Sequence, residues 1–430
     1  MSRRSPSEFH NYWGIATTVA DLPNASGNIV VSGPLNLQAG DIAFVSGEST
    51  LYLCTSPGTV NNGGDAVWAP LYSGGDHFAP KYVVGSSTDS QVSFNVGGFF
   101  YFPDDGTGNG IKAAIEAATT IEVGDIYIRP GLYDLSGYTT SGELPFLLPV
   151  GCKVTGAGNS TQILCALAPG GIATVFTLFS GCELSNLRID LDDSLGTAGS
   201  GIAAVEVATD DRAYCSKLTI SVLKNPTSTS TVYQCLTASG TGLLLLENCV
   251  FNIVGPTTVS PDPSFSGLAS IRCACRLTVY RCDFTSTDFG IVSLDTQPNV
   301  LVDQCTVVSN YCGVYAQGDL NITGATSIAV NDPTKAVFGV ILDRGFNPCN
   351  LIINGARISA TNLVPAASIA VRSNADTGQI VSSQITGPTG IDTSTGTGPG
   401  HTIGFNVITA IAGQEIVSAL MDEVAHNIFA

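Results

Sequence analysis

The stretch Leu246-Glu-Asn-Cys-Val-Phe251 recurs 33 residues later as Val279-Tyr-Arg-Cys-Asp-Phe284 and, after 23 more, as Val302-Asp-Gln-Cys-Thr-Val307. Each copy has an apolar residue, a cysteine three positions on and another apolar residue two positions after that. Residues two apart point to the same side of a strand, whereas a spacing of three interrupts this alternation. The stretch therefore predicts two short strands joined by a tight bend.

The same motif continues in both directions along the chain. Its further members are Leu184-Leu187-Ile189, Cys215-Leu218-Ile220, Ile322-Ala325, Ile353-Ala356-Ile358, Ile380-Ser383-Ile385 and Ile403-Asn406-Ile408. Successive central residues lie 20 to 33 positions apart. A repeat of this variable length indicates one structural unit with loops of differing size.

This repeat predicts how the strands are arranged. A chain that turns after every short strand and returns in register forms parallel strands about 4.8 Å apart. Like residues then stack in ladders, and Cys249, Cys282 and Cys305 form one such ladder. No segment between the motifs has a sustained helical stripe. The pattern therefore predicts an all-β solenoid, a right-handed parallel β-helix, with a β-sandwich as the alternative.

Composition and charge exclude several other classes of protein. Charged residues are 12% of the chain, hydrophobic residues 44%, and Gly accounts for 48 residues, which excludes a disordered acidic chain. The net charge of −18, with only 17 basic residues, argues against a nucleic-acid partner. The sequence contains no run of about 18 apolar residues, so no membrane span is predicted. The two arginines at positions 3 and 4 precede no apolar run, so no secretory signal is predicted.

The cysteines are interpreted as structural. The chain is long and their number, 13, is odd, which does not fit a small disulfide scaffold. Unpaired cysteine behaves as a small hydrophobic residue, so we predict that most are reduced and buried. Cys273-Ala-Cys275 lacks the spacing of common zinc sites, and no metal site is predicted.

Two segments are predicted to cover the ends of the solenoid, because open strand edges invite aggregation. Within Asn109-Gly-Ile-Lys-Ala-Ala-Ile-Glu-Ala-Ala-Thr119, four apolar residues form one helical stripe, namely Ile111, Ala114, Ile115 and Ala118. A strand-like segment, Asp125-Ile-Tyr-Ile-Arg-Pro-Gly-Leu-Tyr-Asp-Leu135, follows. Near the other end, apolar residues recur every four positions and predict a second helical cap, at Ile416, Leu420, Val424 and Ile428.

The first of these segments, together with Asp105-Gly106 before it, resembles the start of the pectate-lyase-like β-helix superfamily. That superfamily includes bacteriophage tailspikes, in which an amphipathic helix caps the first coil and a Pro-Gly-x-Tyr strand follows. The resemblance implies a right-handed β-helix over roughly residues 98 to 410. Only this segment carries a specific motif, and many unrelated functions share the superfamily.

Residues 1–76 have a different sequence pattern from the repeats. Ala20-Asp-Leu-Pro23, Gly40-Asp-Ile-Ala-Phe-Val45, Leu51-Tyr52 and Trp68-Ala-Pro-Leu71 follow one another in an order that resembles a small β module of phage tail fibres. The alternation in residues 42–45 and 51–53 predicts two half-buried strands joined by a turn at residues 47–50. We interpret Trp68 as a core residue of this module rather than a sugar-binding one. Residues 72–80 are typical of a linker.

The chain is accordingly divided into four parts. Residues 1–76 are the N-terminal module, which the fibre resemblance implies anchors the chain to a virion. Residues 77–97 are a linker and first strand, and residues 98–410 are the β-helix with its cap helix. Residues 411–430 are a C-terminal cap or oligomerisation segment.

Acidic residues on neighbouring coils are the candidates for catalysis. Glycoside hydrolysis needs two carboxyl groups about 5–9.5 Å apart, and coils stacked about 4.8 Å apart bring carboxylates that close with ease. The candidates are Asp190, Asp192, Asp193, Asp210, Asp211, Asp283, Asp288, Asp295 and Asp303. Acids on solvated turns are common, so this signal is weak.

No base accompanies these acids in a recognisable pattern. Arg212, Arg281 and Arg344 are far apart in sequence, and the histidines (His10, His77, His401, His426) lie outside the main coils or near their end. No serine–histidine–aspartate signature or metalloprotease helix motif is present, and Gly106-Thr-Gly-Asn-Gly-Ile111 lacks the context of a phosphate loop. We assign no catalytic, cofactor-binding or metal-binding residue and predict no cofactor.

Three hypotheses for function follow. The favoured one is a structural virion protein, meaning a tail fibre, spike or capsid-decoration protein, with a host surface glycan as its candidate ligand. It is expected to be a homotrimer, like the fibres it resembles, to contact other virion proteins through residues 1–76, and to be assembled in the host cytoplasm. The alternatives are a polysaccharide depolymerase on a phage tailspike and a bacterial surface β-helix protein.

Overall fold

The computed structural model describes most of the chain. It covers residues 12–16, 42–45, 50–56, 67–70, 82–87, 94–96, 99–121, 124–141, 143–167, 174–193, 202–224, 233–255, 268–294, 299–332, 336–343, 348–361, 368–394, 400–411, 413–418 and 422–429. The chain forms two compact units, one of residues 1–83 and 91–102 and the other of residues 84–90 and 103–430.

The first unit contains a four-stranded sheet built from Tyr12–Ala16, Ile42–Val45, Thr50–Ser56 and Val67–Pro70. The second and third strands pair antiparallel, with Ile42 opposite Leu53, so the predicted hairpin is confirmed. Phe94–Val96 and Phe99–Phe102 form a further antiparallel pair. The Trp68 side chain and the linker at residues 72–80 lie outside the described residues.

The second unit is a solenoid of twelve coils, and each complete coil passes through three sheets in turn. Sheet 1 of the solenoid consists of Asp125–Ile128, Lys153–Thr155, Glu183–Ser185, Arg212–Ser216, Leu243–Glu247, Arg276–Tyr280, Asn299–Asp303, Asp319–Thr323, Asn350–Asn354, Thr377–Val381, Gly400–Gly404 and Glu423–Ala425. Sheet 2 consists of Gly131–Asp134, Thr161–Ala166, Arg188–Asp192, Thr219–Leu223, Val250–Val254, Asp283–Thr285, Thr306–Ser309, Ser327–Asn331, Arg357–Thr361, Gln384–Thr386, Val407–Thr409 and Ile428–Phe429. Sheet 3 consists of Phe146–Leu147, Phe176–Leu178, Ile202–Ala208, Tyr233–Ser239, Leu268–Cys273, Phe289–Ser293, Cys312–Ala316, Phe338–Leu342, Ile369–Ser373, Thr389–Asp392 and Ile416–Val417.

Every strand pair between successive coils is parallel and in register, so like residues stack along the solenoid. One inward column of sheet 2 runs Ile189, Ile220, Phe251, Phe284, Val307, Ile328. All six side chains are buried, and Phe251 stacks on Phe284 with ring centroids 5.2 Å apart. The chain is therefore an all-β parallel β-helix, as the repeat predicted.

The bend between sheets 1 and 2 has the geometry that the three-residue spacing predicted. A single residue with positive φ makes the turn in most coils; examples are Asn248, Arg281 and Gln304, with φ of 52–54°. The next residue points inward, and we call this place the inward turn position. Its occupants are Leu187, Leu218, Cys249, Cys282, Cys305, Thr326, Ala356, Ser383, Asn406 and Asn427.

One member of the predicted ladder is wrong. Ala325 is exposed, whereas Thr326 is fully buried and takes the inward turn position. The turn contains one additional residue here, after Gly324 with φ of 64°. The Thr326 hydroxyl accepts a hydrogen bond from the Cys305 backbone amide at 3.3 Å and donates one to the Thr323 carbonyl at 2.7 Å. A polar partner for that amide outweighs the preference for an apolar residue.

The two predicted caps have different outcomes. Helix α1 (Asn109–Ile121) contacts strands of the first coil, and its predicted stripe is buried, so this cap is confirmed. A short helix α2 (Tyr138–Ser141) follows. The second helical cap is wrong, because Ile416–Val417, Glu423–Ala425 and Ile428–Phe429 form short strands at this end of the solenoid. Leu420 lies outside the described residues. Val424 pairs in register with the buried Ile403, and pairing with the preceding coil outweighs the four-residue periodicity.

The described cysteines are all buried and form no disulfide bond, as predicted. They are Cys152, Cys165, Cys182, Cys215, Cys235, Cys249, Cys273, Cys275, Cys282, Cys305, Cys312 and Cys349. At the inward turn position the sulfur also replaces a missing strand partner, because the Cys249 amide donates to Cys282 Sγ at 3.3 Å and the Cys282 amide to Cys305 Sγ at 3.5 Å.

Candidate functional site

The acids on the outer faces of the coils do not converge on a base. Asp190 accepts hydrogen bonds from Arg188 Nε at 2.7 Å and Gln162 Nε2 at 2.6 Å. Asp210 caps the turn at Thr241, while Asp303 accepts from the Thr323 hydroxyl at 3.0 Å. The remaining outer candidates, Asp192, Asp211 and Asp283, lie at least partly exposed on different strands or turns. Asp295 lies outside the described residues.

Asp193 behaves differently from its neighbours, because it turns into the solenoid at the bend between sheets 2 and 3. It is fully buried, and its Oδ2 accepts a hydrogen bond from Tyr233 Oη at 2.5 Å. Lys224, one coil further on, is buried with Nζ 5.6 Å from the centre of the Tyr233 ring. Asp288 is also buried, and its charge opposes the lowering of the Lys224 pKa by burial without reversing it. We call Asp193, Lys224, Tyr233 and Asp288 the bend cluster.

Burial controls the protonation of the bend cluster. It raises the pKa of Asp193, although the hydrogen bond from Tyr233 acts in the opposite direction. It also lowers the pKa of Lys224. A carboxyl and a phenol in direct contact can relay a proton. Both groups are fully buried, however, so the cluster as described is closed to a polymeric substrate.

The packing that places the bend cluster inside the solenoid can be read only in part from the sequence. Lys224 fits inside because the next residue in its column is Gly255, where an added Cβ would lie 2.7 Å from Lys224 Cβ. Sequence analysis included Asp193 and Asp288 among the candidate acids but missed Lys224 and Tyr233. The spacing of 31 residues between Asp193 and Lys224, which equals one coil, is the signal that could have joined them.

The predicted basic residues are also dispersed. Arg281 lies over the Tyr280 ring at 4.6 Å and donates to Gln304 Oε1, while Arg212 is exposed on another coil. His426 is exposed and stacks on Phe405. Arg344, His10 and His77 lie outside the described residues.

His401 is the exception, because it meets a serine and an aspartate that are distant in sequence. Its Nε2 lies 3.0 Å from Ser373 Oγ, and its Nδ1 lies 3.2 Å from Asp422 Oδ1. The other Asp422 oxygen accepts a hydrogen bond from the Thr393 hydroxyl. This order of contacts matches the serine–histidine–aspartate arrangement of acyl-transfer enzymes, which the sequence motifs did not show.

The position of this trio nevertheless argues for a structural role. Ser373 is 0% and His401 2% exposed, and both point into the core of the solenoid. His401 occupies the space left by Gly378, where an added Cβ would lie 2.3 Å from His401 Cδ2. Ser373 Oγ also accepts the Ala375 amide at 3.2 Å. A nucleophile must reach a substrate carbonyl, and no described cavity opens onto this serine.

A groove of about 400 Å³ lies between α1 and the strand Phe146–Leu147. Its only basic residue, Lys112, is bound by Glu143 at 2.7 Å and lies 3.9 Å from Glu116. The opposed charges are therefore already paired within the groove. Over the described residues, no cluster of His, Cys, Asp and Glu could hold a metal ion, and no helix is long and apolar enough to cross a membrane.

The fold places the chain among parallel β-helix proteins. No protein-family model and no curated protein matches it. Among solved structures, it is similar to the A-module of mannuronan C-5 epimerase AlgE6 from Azotobacter vinelandii, at 15% identity over 75% of this chain and 94% of that chain, with a TM-score of 0.42. It is also similar to the Dettilon tailspike protein gp208, at 12% identity over 74% of this chain and 64% of that chain, with a TM-score of 0.42.

The periplasmic alginate epimerase AlgG is a third similar structure, at 10% identity over 72% of this chain and 78% of that chain, with a TM-score of 0.41. These similarities concern the fold alone. They assign no activity, substrate or partner to this protein.

Proposed function

We propose that the chain is a non-catalytic structural protein of a virus particle, namely a tail fibre, spike or capsid-decoration protein. The observation that carries the proposal is where the ionisable groups lie. The outer acids are dispersed, and the bend cluster and the Ser373–His401–Asp422 trio are closed inside the core. Over the described residues, the solenoid presents long faces for contact and no open site that brings an acid and a base together.

The proposal includes a place and partners. The resemblance of residues 1–76 to a fibre module supports attachment to other virion proteins through that module and a location on the virion after assembly in the host cytoplasm. A homotrimer fits the low content of charged residues, 12%, since interfaces are depleted in Lys, Glu and Asp. A host surface glycan is the proposed external ligand.

Labelling particles with an antibody against this chain tests the structural role. We expect electron micrographs to show the label at regular sites on the particle and in fixed proportion to the other virion proteins. Label found only on free protein or on uninfected host cells would contradict the proposal and favour a bacterial surface protein.

A polysaccharide depolymerase is the second candidate. It is favoured by the direct contact between the carboxyl of Asp193 and the phenol of Tyr233, although both groups are buried. Purified protein should be incubated with host capsule or lipopolysaccharide and assayed for new reducing ends or unsaturated products. We expect no turnover. Turnover that is lost in Asp193→Asn and retained in Asp283→Asn would overturn the non-catalytic proposal. Both variants replace a carboxylate with an amide, but Asp193 is buried in the bend cluster whereas Asp283 is exposed on the outer face.

A further inference from the structure

The outer face of sheet 2 is unusually rich in exposed apolar side chains. Twelve large hydrophobic residues are exposed in the described part of the chain, and six of them point outward from this sheet. They are Leu132, Leu223, Val254, Val308, Val407 and Ile428. On the described strands of sheet 1, no residue of this set points outward, because Val424 pairs with the buried Ile403 and lies in an inward column.

Charge is distributed in the opposite way. From Thr219 to the end of sheet 2, the outward positions hold only two charged residues, Asp283 and Arg357, which have opposite signs. Over the same coils, the outward positions of sheet 1 hold six, namely Arg212, Glu247, Arg276, Asp303, Asp319 and Glu423. From Thr219 onward, sheet 2 therefore presents a neutral face in a chain whose net charge is −18.

The size of this face suits a stable association. The neutral part, from Thr219 onward, has nine strands. Spaced about 4.8 Å apart, they extend for roughly 40 Å, and four residues of strand add a width of about 13 Å. This part thus offers about 500 Å² per copy, so two copies together would bury about 1,000 Å², the lower limit for a biological interface.

We propose that copies of this chain associate through the outer face of sheet 2. A second copy is the partner that the charges favour, because a neutral apolar face does not repel its own copy, whereas the charged face of sheet 1 has no such advantage. The inference rests on the homotrimer that the proposed function includes, and it identifies the surface responsible.

Light scattering on matched charge variants tests the interface. Val254→Lys/Val308→Lys places two like charges on each copy at exposed positions of sheet 2, and Thr278→Lys/Gln379→Lys places the same charges on sheet 1. We expect wild type and the sheet 1 variant to have an oligomeric mass and the sheet 2 variant to have the monomer mass. Circular dichroism should show the same strand content in all three proteins.

A crosslinking measurement keeps the inference testable if the lysine variant does not fold. Val308→Cys with a short thiol crosslinker should give covalent dimers that wild type and Thr278→Cys do not give. An oligomer that is unaffected by either sheet 2 change would overturn this interface and leave the oligomeric fibre role standing. A wild-type monomer at all concentrations, on a chain still found on particles, would overturn self-association alone.

Discussion

Several residues at the inward turn position have two tasks. The side chain fills the core at the bend, and in Cys282, Cys305, Thr326, Ser383, Asn406 and Asn427 it also accepts the backbone amide of the inward turn residue of the preceding coil. Ser383 accepts the Ala356 amide at 3.3 Å, and Asn406 accepts the Ser383 amide at 3.0 Å. The positive-φ turn interrupts strand pairing, so these side chains satisfy an amide that would otherwise be buried without a partner.

Cysteine suits this position because it combines a small apolar volume with a weak acceptor. Cys282→Asp should therefore lower the free energy of unfolding by on the order of 3–5 kcal/mol, since a charge is buried without a partner. Cys282→Ser keeps a donor and an acceptor and should cost much less. Urea denaturation of both variants measures the difference, and equal losses would show that charge is not the cause.

Burial should also protect the thiols from reagents. It raises the pKa of Cys165 to about 12 and that of Cys305 to about 11, so neither is a reactive thiolate near neutral pH. Titration of the native protein should leave the described cysteines unmodified, and all should react after denaturation. Disulfide-linked species in non-reducing gels would contradict the interpretation of the cysteine ladder.

Packing around His401 allows a direct test of the buried trio. Gly378→Ala should lower the free energy of unfolding by about 1–3 kcal/mol, because the new Cβ would overlap the imidazole ring. The double variant with His401→Ala should lose less stability than the sum of the losses of the two single variants. Gly137→Ala, where an added Cβ meets nothing within 4 Å, is the control. Additive losses would mean that the ring does not fill this space.

At the scale of the element, sequence determines the strands more reliably than the turns between them. The apolar spacing predicted the bend, the cap helix and the hairpin of residues 42–53. It wrongly predicted that Ala325 points inward, because nothing in the repeat shows that this turn contains one additional residue. It missed the Ser373–His401–Asp422 trio because those residues meet through coil stacking, at separations of 28 and 21 residues, and no local motif links them.

The bend between sheets 2 and 3 should make stability depend on pH through Asp193. Its folded pKa is raised above 3.8, so its contribution to stability is complete below the unfolded pKa and is lost as pH rises through the folded pKa. Relative to Asp193→Asn, wild type should therefore lose stability above about pH 4, as measured by urea denaturation. Tyr233→Phe removes the hydrogen bond that favours the carboxylate and should increase this loss. A stability difference between wild type and Asp193→Asn that stays constant with pH would contradict this prediction.

At the scale of the whole molecule, stability should vary along the solenoid. Each coil is stabilised by its two neighbours, so local opening depends on how completely a coil is covered. In the middle coils the inward residues are buried, as Val279 and Val302 show, at 0% exposure each. In the final coil the residues in equivalent columns are open, with Val424 43% and Phe429 54% exposed.

Amide hydrogen exchange should reveal this gradient. We expect amides at residues 423–429 to exchange many times faster than those at residues 276–309, because opening the last coil breaks strand pairing on one side and exposes little additional apolar surface. Mass spectrometry of peptic fragments measures both regions in one experiment. The N-terminal coil under α1 is the internal control, since that helix packs against it and its inward residues Ile126 and Ile128 are buried. Protection of residues 423–429 equal to that of the middle coils would show that another surface covers this end in solution. If Val254→Lys/Val308→Lys then removed that protection, the covering surface would be a second copy.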